Sequence, residues 1–158
     1  MALSGEQQFN TEIAASVQQC FATITNFAAY PQWFSSIEHA AILAAHPDGI
    51  GKLVEYRIDM KLKSIRYVLE YAHRKPTELT WQSVEGDVEA IEGRYLFEKL
   101  EPSLTRATCR QAVSIGFWVP GPIRKLMEQQ ALKQSVLEFK AAAEAAAQAD
   151  AARRRKKR

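Results

Sequence analysis

The sequence predicts an α+β domain in which a curved antiparallel sheet is covered by one long C-terminal helix. From Ile37 to Gly116, apolar and polar residues alternate in short runs separated by turn residues, which is typical of consecutive antiparallel strands. Residues 123–149 contain no Gly or Pro and are mainly Ala, Leu, Lys, Gln and Glu, which are strong helix formers. About 27 residues at roughly 1.5 Å each give a helix of about 40 Å, as long as a small domain is wide.

A strand and a short helix precede the sheet region. Residues Gln7 to Ala15 alternate partially and predict a first strand, and Ser16 is a suitable N-cap for the segment that follows. That segment carries apolar residues at helical spacing: Val17, Cys20, Phe21, Ile24 and Phe27. Pro31 ends the helix, so residues 30–34 form a turn crowded with three aromatic residues. This turn is either a hydrophobic plug under a loop or an aromatic rim at a ligand entrance.

Six further strands complete a sheet of about seven. They are predicted at Ile37–Ala45, Lys52–Leu62, Ile65–His73, around Leu79–Ser83, Glu89–Lys99 and Thr105–Gly116. Short turns and no helical crossovers predict an antiparallel meander. The inward face is apolar and aromatic, and the outward face carries solvated charges of both signs. The outward charges include Glu55, Arg57, Glu92, Arg94 and Arg110.

The long helix carries two apolar stripes that lie on roughly opposite faces. The second stripe has ordinary core spacing and consists of Leu132, Val136, Phe139 and Ala143. The first consists of Ile123, Leu126, Met127 and Ala131. Either the helix bends so that both halves pack on the sheet, or the first half lines a cavity or its mouth.

Composition and charge place the chain among ordinary globular proteins. Residues 153–158 are all basic, and the rest of the chain has more acidic than basic residues. We therefore predict one domain over residues 1–149 and a disordered basic tail over 150–158. No run reaches the roughly 18 apolar residues of a membrane span, and no secretory signal is present. Cys20 and Cys109 lie on apolar faces and fit no metal spacing, which favours free thiols and a cytoplasmic location.

The inward face predicts a small-molecule pocket. It carries four tyrosines, and each buried hydroxyl needs a partner, which is unusual in a plain core. A mainly apolar concavity with a few polar groups is typical of a ligand site. The predicted ligand-binding residues are Trp33, Phe34, Tyr56, Ile58, Met60, Tyr67, Leu69, Tyr71, Trp81, Tyr95, Phe97, Gln111, Val113, Ile123 and Met127. The alternative is that the tyrosines reach the sheet margins around a solid core.

No residue pattern indicates catalysis. There is no nucleophile motif, phosphate-binding loop or metal-ligand spacing, so we predict no catalytic residue, metal or cofactor. On the predicted strand phases, Asp59 and Glu92 point outward. His39, His46 and His73 fall near strand ends or turns, where solvated side chains are expected.

Several segments resemble the START-like helix-grip (SRPBCC) superfamily, in particular its polyketide cyclase/dehydrase and coenzyme-Q-binding group. The resemblance covers about residues 6–145. It is carried by Tyr30-Pro31-Gln32-Trp33, Leu79-Thr80-Trp81 followed by Glu85-Gly86, Glu92-Gly93-Arg94-Tyr95, and Val119-Pro120-Gly121-Pro122. It implies a curved sheet gripping the long helix, with a tunnel between them for a hydrophobic ligand. Members of this superfamily include lipid and quinone carriers, aromatase/cyclases and a ribosome-binding group, so the fold alone does not fix a function.

Three functions follow from these observations. The first is a carrier or chaperone that binds a lipid, quinone or polyketide-like molecule between sheet and helix. The second is an aromatase/cyclase or dehydratase. The third is a ribosome- or membrane-associated factor that uses Arg153–Arg158, either peripherally at an anionic membrane surface or on RNA, although six basic residues do not favour nucleic acid. The oligomeric state is not predicted.

Overall fold

The computed structural model describes residues 6–59, 63–114 and 120–157, which form one seven-stranded antiparallel sheet and its covering helices. The strands are β1 (Gln7–Ile13), β2 (Ile37–Ala45), β3 (Gly51–Asp59), β4 (Ser64–Arg74), β5 (Glu78–Gly86), β6 (Ala90–Glu101) and β7 (Leu104–Ser114). Their order in the sheet is β1-β7-β6-β5-β4-β3-β2. The predicted meander from β2 to β7 is confirmed, and β1 adds to its far edge with Gln7 opposite Gln111.

The first helix, α1 (Val17–Ile24), begins at the predicted cap. The Gln19 N–H donates to Ser16 Oγ, and the Ser16 N–H donates to the Gln19 side chain, which satisfies two free donors at the helix start. Its apolar face is buried, as the periodicity predicts.

A short 3₁₀ turn (Phe27–Ala29) and a four-residue helix, α2 (Tyr30–Trp33), follow α1. The prediction of an irregular turn at residues 30–34 is therefore wrong in part. Pro31 lies in the first turn of α2, where its missing N–H costs no hydrogen bond.

The predicted inward and outward phases of the strands are confirmed in the described residues. Cross-strand pairs on the inner face include Tyr71 with Trp81, Trp81 with Gly93, and Gly93 with Gln111. The outer face carries charges, where Glu55 forms an ion pair with Arg66 at 2.7 Å. Tyr56, Leu69, Tyr71, Tyr95 and Phe97 are buried in the main core cluster.

The long helix, α3 (Gly121–Lys156), is a single continuous helix. The predicted core stripe of its second part is confirmed, because Leu132, Val136, Phe139 and Ala143 are all buried. Two hydrogen bonds fix this part to β1. Lys140 Nζ donates to the Glu12 carbonyl at 2.7 Å, and the Ala14 N–H donates to Glu144 Oε2 at 2.9 Å.

The first three turns of α3 differ from both alternatives that the sequence left open. Ile123, Leu126 and Met127 are 53%, 56% and 49% exposed, so the first apolar stripe points away from the sheet. Because the helix is continuous, the side that carries Leu132 extends backwards at steps of four residues to Glu128 and Arg124. These two charged residues, and not the apolar ones, are the partly buried side chains of residues 121–131.

The C-terminal end also differs from the prediction. The helix continues past residue 149 to Lys156, so residues 150–156 are helical and not a disordered tail. Ala and Arg are strong helix formers, and cations are favourable at a helix C-terminus. Asp150 further ties this end to the domain by accepting a hydrogen bond from Gln19 Nε2 at 3.1 Å. No helix within the described ranges combines the length and the apolar character that a membrane span requires.

Candidate functional site

The concave inner face of the sheet has a closed end. Here Phe139 of α3 packs between the rings of Tyr95 and Phe97, with centroid distances of 5.2 Å and 5.9 Å. Phe27 packs on Tyr71 at 4.3 Å. These interlocking rings leave this end of the concave face filled by the protein's own side chains.

The tyrosine hydroxyls at the closed end are used within the core. Tyr56 and Tyr71 hydroxyls form a hydrogen bond of 2.8 Å, and the Tyr30 hydroxyl donates to the Ile24 carbonyl. Burial raises the pKa of Tyr56 and of Tyr30 well above their ordinary values, so both stay neutral. Tyr56 and Tyr71 are therefore part of a packed core, but their hydroxyls are bonded inside it and do not reach the sheet margins as the alternative supposed.

Tyr95 is the exception in the closed end. Its hydroxyl is buried and has no conventional hydrogen-bond partner among the described residues, and it interacts with the thiol of Cys109, which lies directly across the β6–β7 pair. Burial raises the pKa of Cys109 to about 12, and the Tyr95 hydroxyl offsets this only in part. Cys109 is therefore a buried neutral thiol and not a nucleophile.

The other end of the concave face is more accessible. Its side chains are only half buried: Ile58, Tyr67, Trp81, Ser83, Gln111 and Val113. Trp81 Nε1 donates to Gln111 Oε1 at 3.1 Å, and its ring lies across Gly93, where an added Cβ would come within 2.4 Å of it. The Ser83 hydroxyl accepts from the Ile91 N–H at 2.9 Å. This end, which we call the open end, combines apolar surface with fixed polar groups.

The direction of α3 relative to β1 indicates where the first part of the helix lies along the sheet. The contacts of Lys140 with Glu12 and of Glu144 with Ala14 show that α3 and β1 run in the same direction, since four helical residues (about 6 Å) match two strand residues (about 6.6 Å). Continued backwards, this alignment brings Glu128 to about the level of Gln7, which is opposite Gln111. One further helical turn brings Arg124 to about the level of Val113.

Arg124 and Glu128 form an ion pair that is poorly satisfied. Arg124 Nε lies 3.8 Å from Glu128 Oε1, beyond hydrogen-bond distance. Both atoms are buried and neither has a hydrogen-bond partner in the described part of the chain. Burial raises the pKa of Glu128, and the charge of Arg124 lowers it by less. The alternation of residues in the strands gives no information about this helical pair. The four-residue spacing from Leu132 back through Glu128 and Arg124 is, however, visible in the sequence.

The sequence matches the model of a known protein family. A family model described as "Polyketide cyclase / dehydrase and lipid transport" matches residues 13–140. The chain belongs to this family. The START-like resemblance and the α+β helix-grip fold are thus confirmed.

Solved structures of similar fold include members of the polyketide cyclase and START group. A START superfamily protein from Mycobacterium smegmatis is similar with a TM-score of 0.76 at 22% identity, over 90% of this chain and 97% of that one. Zhui aromatase/cyclase from Streptomyces sp. R1128 has a TM-score of 0.73 at 14% identity, over 90% and 93%. A protein from Thermus thermophilus has a TM-score of 0.75 at 16% identity, over 92% and 99%. At these identities the likeness establishes the fold alone. No curated protein sequence matches the chain significantly.

In this polyketide cyclase/dehydrase family member, the predicted ligand-binding residues fall into three groups. Buried in the core are Phe34, Tyr56, Leu69, Tyr71, Tyr95 and Phe97. Half buried are Trp33, Ile58, Tyr67, Trp81, Gln111 and Val113. Ile123 and Met127 are exposed on the far side of α3, so the prediction that they face the pocket is wrong. Met60 lies outside the described residues. The open end therefore retains Ile58, Tyr67, Trp81, Gln111 and Val113 of the predicted set.

The aromatic segment at α2 is mainly a plug. Phe34 is buried against Tyr30 and Trp33, with ring centroids 4.7 Å and 4.0 Å away. Trp33 borders a separate groove of about 470 Å³ between α1, α2 and α3, together with Ala142 and Ala146. This segment supports the closed end of the sheet and does not line the open end.

The histidines near the β2–β3 turn are held by hydrogen bonds. His73 Nε2 lies 2.6 Å from Asp48 Oδ2, and His46 Nε2 lies 2.7 Å from the Tyr71 carbonyl. The His73 side chain is only 11% exposed, so the expectation that it is solvated is wrong. Hydrogen bonds from the Ile50 N–H and then from His73 lower the pKa of Asp48. In residues 6–59, 63–114 and 120–157, no three His, Cys, Asp or Glu side chains are grouped so as to hold a metal ion.

The convex face carries a polar depression of about 670 Å³. Arg94 and Arg110 are directly opposite each other there, and Glu6 lies 3.9 Å from Arg110. Its other walls include Glu70, Thr80, Gln82 and Glu92. Acidic and basic side chains balance, which agrees with the predicted solvated face.

Proposed function

We propose that the protein binds a hydrophobic or amphipathic small molecule at the open end, between the inner face of the sheet and the first part of α3, and acts as a carrier or chaperone. The observation that supports this most is the incomplete burial of Ile58, Tyr67 and Val113, which share the concave face with a fully buried core. Apolar surface in a concavity beside a few fixed polar groups is the composition of a ligand site.

Binding would be driven by removal of this apolar surface from water, at about 25 cal/mol per Å². Trp81 offers a ring face that is held in place by its bond to Gln111. Because Trp81 Nε1 already donates to Gln111, a ligand meets an apolar surface there and desolvates no free donor. The closed end gives this site a rigid floor, since its rings interlock with Phe139.

Native mass spectrometry of gently purified protein tests the proposal. We expect co-purifying apolar molecules that are released on denaturation. Val113→Phe should fill part of the open end and reduce the bound fraction severalfold. Val84→Phe is the matched control, because Val84 lies on the opposite face of the sheet, on β5, and is exposed. Absence of any bound molecule, together with failure of added lipids and quinones to bind, would contradict the proposal.

A second candidate is an aromatase/cyclase or dehydratase. The Glu128 carboxylate on the sheet-facing side of α3 favours it, since cyclisation needs a base that removes a proton next to a carbonyl, and burial raises the pKa of this residue. Arg124 would stabilise the enolate oxygen formed in that step. Conversion of a linear poly-β-keto thioester to an aromatic product by the wild-type protein, lost in Glu128→Gln, would support catalysis over carriage.

A further inference from the structure

We propose that Arg124 and Glu128 together recognise a neutral ligand head group that carries a carbonyl oxygen and a hydroxyl. This inference rests on the proposed function, because it names the ligand chemistry of the same open end. It adds a polar recognition element on α3 to the mainly apolar surface of the sheet.

The first argument is the lack of partners. Arg124 Nε and Glu128 Oε1 are buried, 3.8 Å apart, and without a hydrogen-bond partner among the described residues. Buried polar atoms in folded proteins are nearly always hydrogen-bonded, because an unsatisfied one carries the full cost of desolvation. A donor and an acceptor that are both unsatisfied and adjacent are arranged to receive a molecule that offers the opposite groups.

The second argument is a comparison within the same helix. Lys140 and Glu144 have the same spacing of four residues, with the basic residue first. In that pair Lys140 Nζ reaches Glu144 at 2.9 Å and the Glu12 carbonyl at 2.7 Å, and Glu144 also accepts from the Ala14 N–H. Lys140 Nζ and Glu144 Oε2 are thus hydrogen-bonded, whereas Arg124 Nε and Glu128 Oε1 have no partner in the described part of the chain.

The third argument is charge. The pair is neutral overall, so the attraction of Arg124 for a ligand anion is offset by repulsion from Glu128, and the reverse holds for a cation. A guanidinium only donates hydrogen bonds, and an ionised carboxylate only accepts them. The complementary ligand is uncharged, with a carbonyl or ether oxygen toward Arg124 and a hydroxyl toward Glu128. The alignment of α3 with β1 places the two residues at about the levels of Val113 and Gln111, so the apolar part of such a ligand would lie against the sheet.

Three planar probes of nearly equal shape test the inference: anthracene, anthraquinone and 2-hydroxyanthraquinone. The first has no polar group, the second adds carbonyl oxygens and the third adds a hydroxyl. We expect the affinity of the full-length protein, measured by equilibrium dialysis, to increase about tenfold at each step, as for a hydrogen bond to a charged group. Arg124→Met should remove the step from anthracene to anthraquinone. Glu128→Met should remove the step from anthraquinone to 2-hydroxyanthraquinone.

Two further variants separate recognition from general damage. Arg124→Lys keeps a donor and should retain most of the preference for anthraquinone. Arg153→Met alters the basic partner of another ion pair on α3, that with Asp150, and should change neither step. Circular dichroism checks that each variant is folded.

The outcomes distinguish this inference from the proposed function. Equal affinity of the wild-type protein for all three probes, or steps that survive in Arg124→Met and Glu128→Met, would overturn the recognition by this pair and leave the apolar site standing. Failure of every probe to bind, with no co-purifying molecule, would overturn the proposed function and this inference with it.

Discussion

Both parts of α3 carry apolar residues and a basic–acidic pair, but the two parts bury different ones. In residues 132–143 the sheet-facing side is apolar and fully packed, and the Lys140–Glu144 pair beside it is completely hydrogen-bonded. In residues 121–131 the partly buried side chains are Arg124 and Glu128, whose Nε and Oε1 atoms have no hydrogen-bond partner among the described residues, and the apolar residues are exposed. The second part of the helix therefore closes the core, and the first part does not.

Under the proposed function, this difference would separate the residues that stabilise the fold from those that bind a ligand. Rings that interlock at the closed end supply packing that no ligand needs to complete. Polar atoms left unsatisfied beside half-buried apolar side chains cost stability, and such costs are found at sites that bind other molecules. The predictions below test this division, from the largest expected effect to the smallest.

Truncation of a core ring on α3 should have the largest effect. Phe139→Ala removes a fully buried ring that packs on Tyr95 and Phe97, and we expect it to lower the free energy of unfolding by about 3–5 kcal/mol. Leu126→Ala, in the exposed first part, is the control and should change it by less than about 0.5 kcal/mol. Urea denaturation measures both. Comparable losses in the two variants would mean that the first part also packs on the protein.

A methyl group at Gly93 should disturb the floor of the open end. The Cβ of Gly93→Ala would lie 2.4 Å from the Trp81 ring, so Trp81 must move and release Gln111. Overpacking of this kind costs about 1–3 kcal/mol. Tryptophan fluorescence should change together with the urea midpoint.

Gly121→Ala is the matched control for that substitution, because no atom of the residues that the structure describes lies within 4 Å of an added Cβ at Gly121. We expect it to raise the free energy of unfolding by about 1 kcal/mol or less, because Ala has a higher helix propensity than Gly. A Gly93→Ala protein with unchanged stability and fluorescence would show that Trp81 does not rest on this strand.

Glu144 and Glu128 of α3 should respond to pH in opposite directions. Burial raises the pKa of Glu144, but bonds from the Ala14 N–H and then Lys140 more than offset this, so its folded-state pKa is lowered. Its ionised form thus stabilises the fold above the unfolded pKa of about 4.3, and this is lost as the pH falls through the lower folded pKa. Glu144→Gln should be less stable than wild type at pH 7, with the difference vanishing in acid.

For Glu128 the effect of ionisation on stability has the opposite sign. Its folded-state pKa is raised, so ionisation opposes folding above that pKa and has no effect below about 4.3. Glu128→Gln should therefore be at least as stable as wild type at pH 7 and equal to it in acid. Thermal denaturation between pH 3 and about pH 7 measures both variants. A loss of stability at pH 7 in Glu128→Gln would assign Glu128 to the fold and remove it from the binding site.

Most of the fold was predictable because the spacing of apolar residues within each segment indicates helix or strand and shows which face is buried. The alternation in Val54, Tyr56 and Ile58 and the spacing of Leu132, Val136 and Phe139 both identify the buried face without knowledge of its partner. The site was predicted only in part, because the first part of α3 breaks the rule that apolar side chains face inward. Ile123 and Met127 suggested a pocket wall by their composition, whereas the partly buried residues of this part are Arg124 and Glu128. Continuity of one helix decides between these, and composition does not.

The smallest effect should come from removal of the basic end of α3. A chain that ends at Ala152 loses only exposed residues of the described helix and keeps the bond between Gln19 and Asp150. We expect the free energy of unfolding to change by less than about 0.5 kcal/mol and the affinity for anthraquinone to stay the same. Vesicles of anionic and of zwitterionic phospholipid provide the separate readout for the six terminal cations, each worth about 1 kcal/mol at an anionic surface. If the shortened chain loses affinity for anthraquinone, the C-terminal end of α3 also contributes to binding, and the proposed difference between the two parts of the helix is wrong.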